Sequence, residues 1–266
     1  MQYRPKKRFG QNFLRDSSVV AKILGAARIE AGERVLEIGP GLGALTDQLL
    51  AVAAEVTVME VDRDLIANLA ARRDPRLRII EGDCLDLDWR AALPLPPYKL
   101  VANLPYNISS QVLFKVLDHR DCFSRLVLMF QKEVGDRLCA APGTSAYGIL
   151  SVFCQLEFDI RRVTVVPPGA FFPAPKVHSV VLEFVPLPAP RVAVEDPQLF
   201  RRVVKGAFGQ RRKTLRNSLL GAGFQTGEVD RALEHCAISP QRRGETLDLG
   251  EFARLSAAIG AATENS

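Results

Sequence analysis

Along the first two thirds of the chain, short apolar runs alternate with segments of helical spacing. Arg34-Val-Leu-Glu-Ile38, Val56-Thr-Val-Met-Glu60, Leu77-Arg-Ile-Ile-Glu81, Lys99-Leu-Val-Ala102 and Leu126-Val-Leu-Met-Phe130 have the length and apolar content of buried strands. Around them, Ala44–Ala53, about Asp64–Arg72, Gln111–Leu117 and Lys132–Leu138 read as helices. This alternation predicts an α/β fold, a doubly wound, mainly parallel sheet with helices on both faces. Arg161–Val166 and Val177–Val185 read as later strands on an antiparallel edge.

Pro186, Pro188 and Pro190 then break the pattern, because proline at that density continues neither strand nor helix. Beyond them only short amphipathic segments follow, about Gln198–Phe208, Arg211–Leu220, Glu228–Cys236 and Gly250–Ile259. The expected division is therefore an α/β domain over 1–185 and a small all-helical domain over 186–266.

Composition narrows the function classes. The 266 residues allow a large domain with a small appendage, and no apolar run approaches the roughly 18 residues of a membrane span. Met1–Phe13 is basic and polar with no apolar signal core, so a cytoplasmic home is expected; a monomer is expected as well. The five cysteines are scattered without a C-x-x-C pair and the three histidines stand alone, so no metal is expected. The net charge of +5 is concentrated in two places. Arg4, Lys6, Lys7 and Arg8 form one cluster. Arg201, Arg202, Lys205, Arg211, Arg212, Lys213 and Arg216 form another with no acidic residue among them. Clusters of this kind suit a polyanion, since each neutralised phosphate releases counterions.

The candidate chemistry lies where strands end. Glu37-Ile-Gly39-Pro-Gly41-Leu-Gly43 follows the first of these strands, at the edge where open α/β sheets bind ligands. Glycines there let the backbone turn and approach a ligand closely. Gly39, Gly41 and Ala44 also satisfy a dinucleotide fingerprint with Glu60 at the ribose-binding position, so this loop leaves an NAD(P) dehydrogenase open. The tighter G-x-G-x-G spacing, the acidic Glu37, and Asp83 after the third of these strands, placed for an adenine amino group, favour an S-adenosylmethionine-dependent methyltransferase. No hydride-transfer acid or base accompanies the motif.

Asn103-Leu104-Pro105-Tyr106 directly follows the fourth of these strands, at the same edge. The N6 amine of adenine is a poor nucleophile because its lone pair is delocalised into the ring. The Asn103 side chain and the carbonyl of Leu104 or Pro105 can accept its two hydrogens and draw nitrogen toward a tetrahedral state. Proline stiffens the loop and Tyr106 offers a face on which the base stacks. Such a displacement depends on positioning, so no strong general base is required.

Gln11-Asn-Phe-Leu14, Glu37–Gly43, Asn103-Leu-Pro-Tyr-Asn-Ile-Ser109, Gln131-Lys-Glu133, Phe171-Phe-Pro-Ala-Pro-Lys-Val177 and Gln210-Arg-Arg-Lys-Thr-Leu-Arg216 occur in this order over nearly the whole chain. Together they resemble the KsgA-type ribosomal RNA adenine dimethyltransferases, a family with a Rossmann-like class I methyltransferase sheet. The resemblance implies that Asn12 and Leu14 close over the methionine part of the cofactor and that Gly39 and Gly41 floor its site. Glu60 would bind the ribose, Asp83 the cofactor adenine with Cys84 beside the ring, and Asn103 both cofactor and target amine. Phe171, followed directly by Phe172, would pack on the target adenine opposite Tyr106. The basic residues Arg211, Arg212, Lys213 and Arg216 would meet RNA. The implied reaction places four methyls on two adjacent adenines near the 3′ end of small-subunit rRNA in a pre-30S particle. A large-subunit methyltransferase of the macrolide-resistance type, a chiefly non-catalytic assembly factor and a DNA adenine methyltransferase are the alternatives.

Overall fold

The computed structural model describes residues 5–6 and 10–264. It divides into two compact units, 1–135 with 159–186, and 136–158 with 187–266.

The first unit is built on a seven-stranded sheet. Its elements in chain order are β1 (Phe13–Leu14), α1 (Ser17–Ala27), β2 (Arg34–Ile38), α2 (Thr46–Leu50), β3 (Glu55–Glu60), α3 (Arg63–Ala70), β4 (Leu77–Glu81), α4 (Trp89–Ala92), β5 (Tyr98–Asn103), α5 (Ser109–Asp118) and β6 (Phe123–Gln131). After α6 (Lys132–Leu138) and α7 (Ile149–Glu157) come β7 (Phe158–Val166), β8 (Phe171–Phe172) and β9 (Ser179–Pro186). The strand order is β4-β3-β2-β5-β6-β9-β7. Strands β2 to β6 run parallel to their neighbours, and β9 lies antiparallel to β6 with Met129 opposite Val181. Covered on both faces, the central strands bury Val35, Leu36, Val56, Val58, Leu100 and Val101 completely, as continuous apolar runs do in parallel sheets. Aspartates start the helices: Asp16, Asp62 and Asp88 accept the first free backbone N–H groups of α1, α3 and α4.

The order of strand addition reverses between β2 and β5, which are parallel hydrogen-bonded neighbours: β3 and β4 extend the sheet on one side and β6 on the other. A crevice opens at such a switch point beyond the carboxyl ends of the strands. The glycine loop leaves β2 there and Asn103 ends β5. A separate two-stranded ribbon pairs β1 with β8 antiparallel, Phe13 opposite Phe172 and Leu14 opposite Phe171.

The second unit comprises α7 with α8 (Pro197–Gly209), α9 (Leu215–Gly221), α10 (Thr226–His235) and α11 (Leu249–Glu264). The helical expectation there holds, but the unit also takes in 136–158, which a single boundary at Pro186 does not include. Aromatic packing accounts for this: Phe153 lies 6.4 Å from Phe200, and Tyr147 lies 6.1 Å from Phe208. Helices α1 and α7 carry no element in the sequence reading, and the helix expected over Ala44–Ala53 is confined to Thr46–Leu50.

Candidate active site

A cavity of about 330 Å³ occupies the switch point. Five segments and Leu65 of α3 line it: 10–14, 37–45 without Gly43, the β3 end around Glu60, Gly82–Cys84, and Asn103–Ile108. Every cofactor residue named from the sequence, Asn12, Leu14, Gly39, Gly41, Glu60, Asp83, Cys84 and Asn103, lies on this wall, as do Leu104, Pro105 and Tyr106. Its size and mixed lining suit a small organic ligand.

The floor is the glycine loop. Gly41 has φ +59°, and a Cβ there would sit 2.9 Å from a ring carbon of Phe13. Beneath it Glu37 is fully enclosed and accepts the Thr46 hydroxyl at 2.6 Å. Burial pushes its carboxyl up to about 8, against the pull of the Thr46 bond. The folded protein thus keeps a proton on Glu37 at pH values where the unfolded chain has released it. Folding stability should therefore fall as pH rises between the ordinary glutamate value and about 8, then level off. The slope would be at most about 1.4 kcal/mol per pH unit. Urea unfolding of Glu37→Gln should lack this contribution, so wild type loses stability relative to the variant from pH 5 to 8. Parallel pH profiles would contradict the buried proton.

Glu60 closes one side. One carboxylate oxygen accepts the Val61 and Asp62 N–H groups, both at 2.9 Å, and the Gly41 N–H also reaches the carboxylate. Burial raises its pKa in spite of these donors. A carboxylate offers about four acceptor positions, so about one remains for a ribose hydroxyl. Asp83 accepts the Leu85 N–H at 2.9 Å through one oxygen, and its second oxygen can take an amino group. Burial pushes the Cys84 thiol up to about 12, so it packs as a neutral, unreactive wall. The donor set and the glycine floor fit an adenosine-bearing cofactor such as S-adenosylmethionine.

Opposite lies the Asn103 loop. The Asn103 amide donates to the carbonyl of Asn12 at 3.0 Å, which orients its Oδ1 as the available acceptor. The Pro105 carbonyl accepts the Ile108 N–H at 3.2 Å, which points to Leu104 as the second acceptor. The Tyr106 phenol meets the Ser179 hydroxyl at 2.6 Å, and that bond fixes its ring at the wall. Burial keeps the phenol protonated.

Three of the expected residues are engaged within the chain. Phe171 is 5% exposed, packs in the core with Leu14, Val166 and Val181, and is absent from the cavity wall. It pairs with Leu14 of the cavity wall, whereas the adjacent Phe172 is the exposed ring, at 46%. Arg216 is held in a two-bond ion pair with Asp230, at 2.6 and 2.8 Å, so its charge is answered within the chain. Lys6 is drawn from the N-terminal basic cluster onto Asp62 and Asp64, at 2.6 and 2.7 Å, and the Asp62 bond leads in raising its amine to about 12. Arg4, Lys7 and Arg8 lie outside the described residues. Arg211 donates to the Ser145 carbonyl at 2.6 Å, whereas Arg212 and Lys213 are exposed.

Sequence reasoning gave no role to Ser179 or Thr46, which hold Tyr106 and Glu37. Nor did it give one to Asp62, where capping before a helical pattern was the available signal. Among the described residues no cluster of His, Cys, Asp and Glu could hold a metal ion, and no helix is long and apolar enough to cross a membrane.

Comparison with known proteins adds an independent finding. A family model described as ribosomal RNA adenine dimethylase matches residues 3–259. The chain is 63% identical to ribosomal RNA small subunit methyltransferase A of Syntrophotalea carbinolica, covering 97% of this chain and 98% of that protein. The protein of the same name from Geobacter metallireducens is 54% identical, with 96% of each chain covered. Among solved structures, a dimethyladenosine transferase from Plasmodium falciparum superposes with a TM-score of 0.81 at 28% identity, covering 94% of this chain and 98% of that one. The 23S rRNA methyltransferase ErmE gives 0.67 at 25% identity, covering 94% and 100%.

Proposed function

The chain belongs to the ribosomal RNA adenine dimethylase family, and we propose that it methylates N6 of two adjacent adenines near the 3′ end of small-subunit rRNA in a pre-30S particle. It is a class I methyltransferase of rRNA adenine. Relatives at 63% and 54% identity carry small-subunit names, which favours this substrate over the large-subunit one of ErmE.

The observation that carries the reading is the orientation of Asn103. Its N–H donates to Asn12, so Oδ1 is free to accept one hydrogen of an incoming amine, with the Leu104 carbonyl for the other. Two acceptors on one side of the nitrogen favour a pyramidal amine with its lone pair turned away from them. S-adenosylmethionine, when bound, supplies a methyl group activated by a sulfonium. Glu60 and Asp83 would hold its ribose and adenine, Asn12 and Leu14 would cover it, and Tyr106 would support the target base. A proton leaves the nitrogen after methylation to solvent, and no side chain here needs to act as a strong base. Because the monomethylated amine keeps one hydrogen for Asn103 or Leu104, the same site serves the second transfer.

Arg212 and Lys213 are the residues we assign to RNA phosphates. Changing both to Ala should weaken particle binding and reduce the slope of log affinity against log salt by about one per lost contact. Arg216→Ala should leave that slope unchanged. Equal slopes for wild type and the double variant would return Arg212 and Lys213 to an ordinary solvated surface. Transfer from labelled S-adenosylmethionine to undermethylated 30S subunits tests the activity itself.

A further inference from the structure

The segment 172–178 joins two walls of the cavity and exposes most of its side chains. At one end Phe172 pairs with Phe13, beside Asn12 and Leu14 of the wall. At the other, Ser179 holds the Tyr106 phenol at 2.6 Å. Between them Pro173, Ala174, Lys176, Val177 and His178 are exposed, and Phe172 itself is 46% exposed. The guanidinium of Arg15 lies 4.1 Å from the centroid of the Phe172 ring. The segment thus offers an exposed aromatic ring with a guanidinium over it, paired through Phe13 to the cavity wall, and an exposed lysine four residues further along the chain.

We propose that Phe172, Arg15 and Lys176 receive the nucleotide next to the target adenine, the base stacking on Phe172 with Arg15 and its phosphate meeting Lys176. The proposal rests on the rRNA-adenine reading of the cavity and adds a second subsite to it. Drawing one base out of an RNA loop strips its neighbour of a stacking partner, and an aromatic or guanidinium plane replaces that partner whatever the base. An exposed ring already associated with a cation suits a polyanionic strand, whereas a protein partner would favour a broader apolar face.

The test is steady-state methylation of undermethylated 30S particles by the full chain. Phe172→Ala should raise KM for the particle about tenfold. Its kcat, the affinity for S-adenosylmethionine and the urea midpoint should remain those of wild type. Phe172→Trp should restore KM and Phe172→Leu should not, because leucine keeps apolar bulk without a π-face. On particles reconstituted with an abasic site beside the target adenine, wild type and Phe172→Ala should converge. A leucine variant equal to wild type, or an alanine defect that persists in full on abasic RNA, would overturn the subsite. If wild type itself methylates no adenine, the functional reading fails; if it is active and Phe172→Ala matches it, only this inference fails.

Discussion

Replacing Asn103 with Ala is expected to lower kcat for methyl transfer about a thousandfold while leaving affinity for the RNA particle within about twofold. The side chain serves in two directions. Its amide N–H donates to the Asn12 carbonyl at 3.0 Å, and its Oδ1 is thereby held as an acceptor toward the cavity. Alanine removes the acceptor that polarises the amine and releases the segment that lines the opposite wall. Particle binding, which we assign to Arg212 and Lys213 and not to this loop, has no reason to follow. Asn103→Asp keeps an acceptor but sets a carboxylate against the Asn12 carbonyl, so it should recover only part of the rate. Single-turnover transfer and filter binding on the same preparations separate the two quantities. Parallel loss of both would remove Asn103 from the chemistry and make it a structural residue.

Gly41→Val should weaken S-adenosylmethionine binding about a hundredfold, a cost near 2.8 kcal/mol. Gly41 has φ +59°, a conformation that costs an ordinary L-residue roughly 1–2 kcal/mol and a β-branched one more. A new Cβ would lie 2.9 Å from Phe13, which is buried and paired with Phe172, so it cannot simply swing out to solvent. Relief of the clash moves Phe13 and with it Asn12 and Leu14, the cover of the cavity. Equilibrium dialysis with labelled cofactor reads the affinity, and an affinity within twofold of wild type would show that the loop and its cover are not coupled.

Much of this site could be read from the sequence because its residues sit at strand ends. Glycine loop, Glu60, Asp83 and Asn103 each follow an apolar run, and a parallel sheet brings the ends of such runs to one edge. The doubly wound parallel sheet follows from the same alternation, whereas the order of the strands, and hence the crevice between β2 and β5, is set by the pairing of the folded sheet. What escaped the sequence depends on register and distant pairing. Phe171 and Phe172 are adjacent, and which ring faces inward is decided by two-residue strands whose pairing with Phe13 and Leu14 leaves no periodic signal. The Arg216–Asp230 pair joins α9 to α10, so a run of basic residues reads as uniformly available until those helices are placed. The segment 136–158 looks like part of the α/β pattern, and only the packing of Tyr147 and Phe153 against α8 assigns it to the helical unit.

The central claim is that the cavity between the glycine loop and Asn103 places methyl groups on small-subunit rRNA adenines. The most direct measurement incubates the protein with undermethylated 30S subunits and labelled S-adenosylmethionine, then maps the modified nucleosides by mass spectrometry. The account predicts N6,N6-dimethyladenosine at two adjacent positions near the 3′ end of the small-subunit RNA, and none with Asn103→Ala. Label confined to large-subunit RNA, or to an atom other than adenine N6, would contradict it.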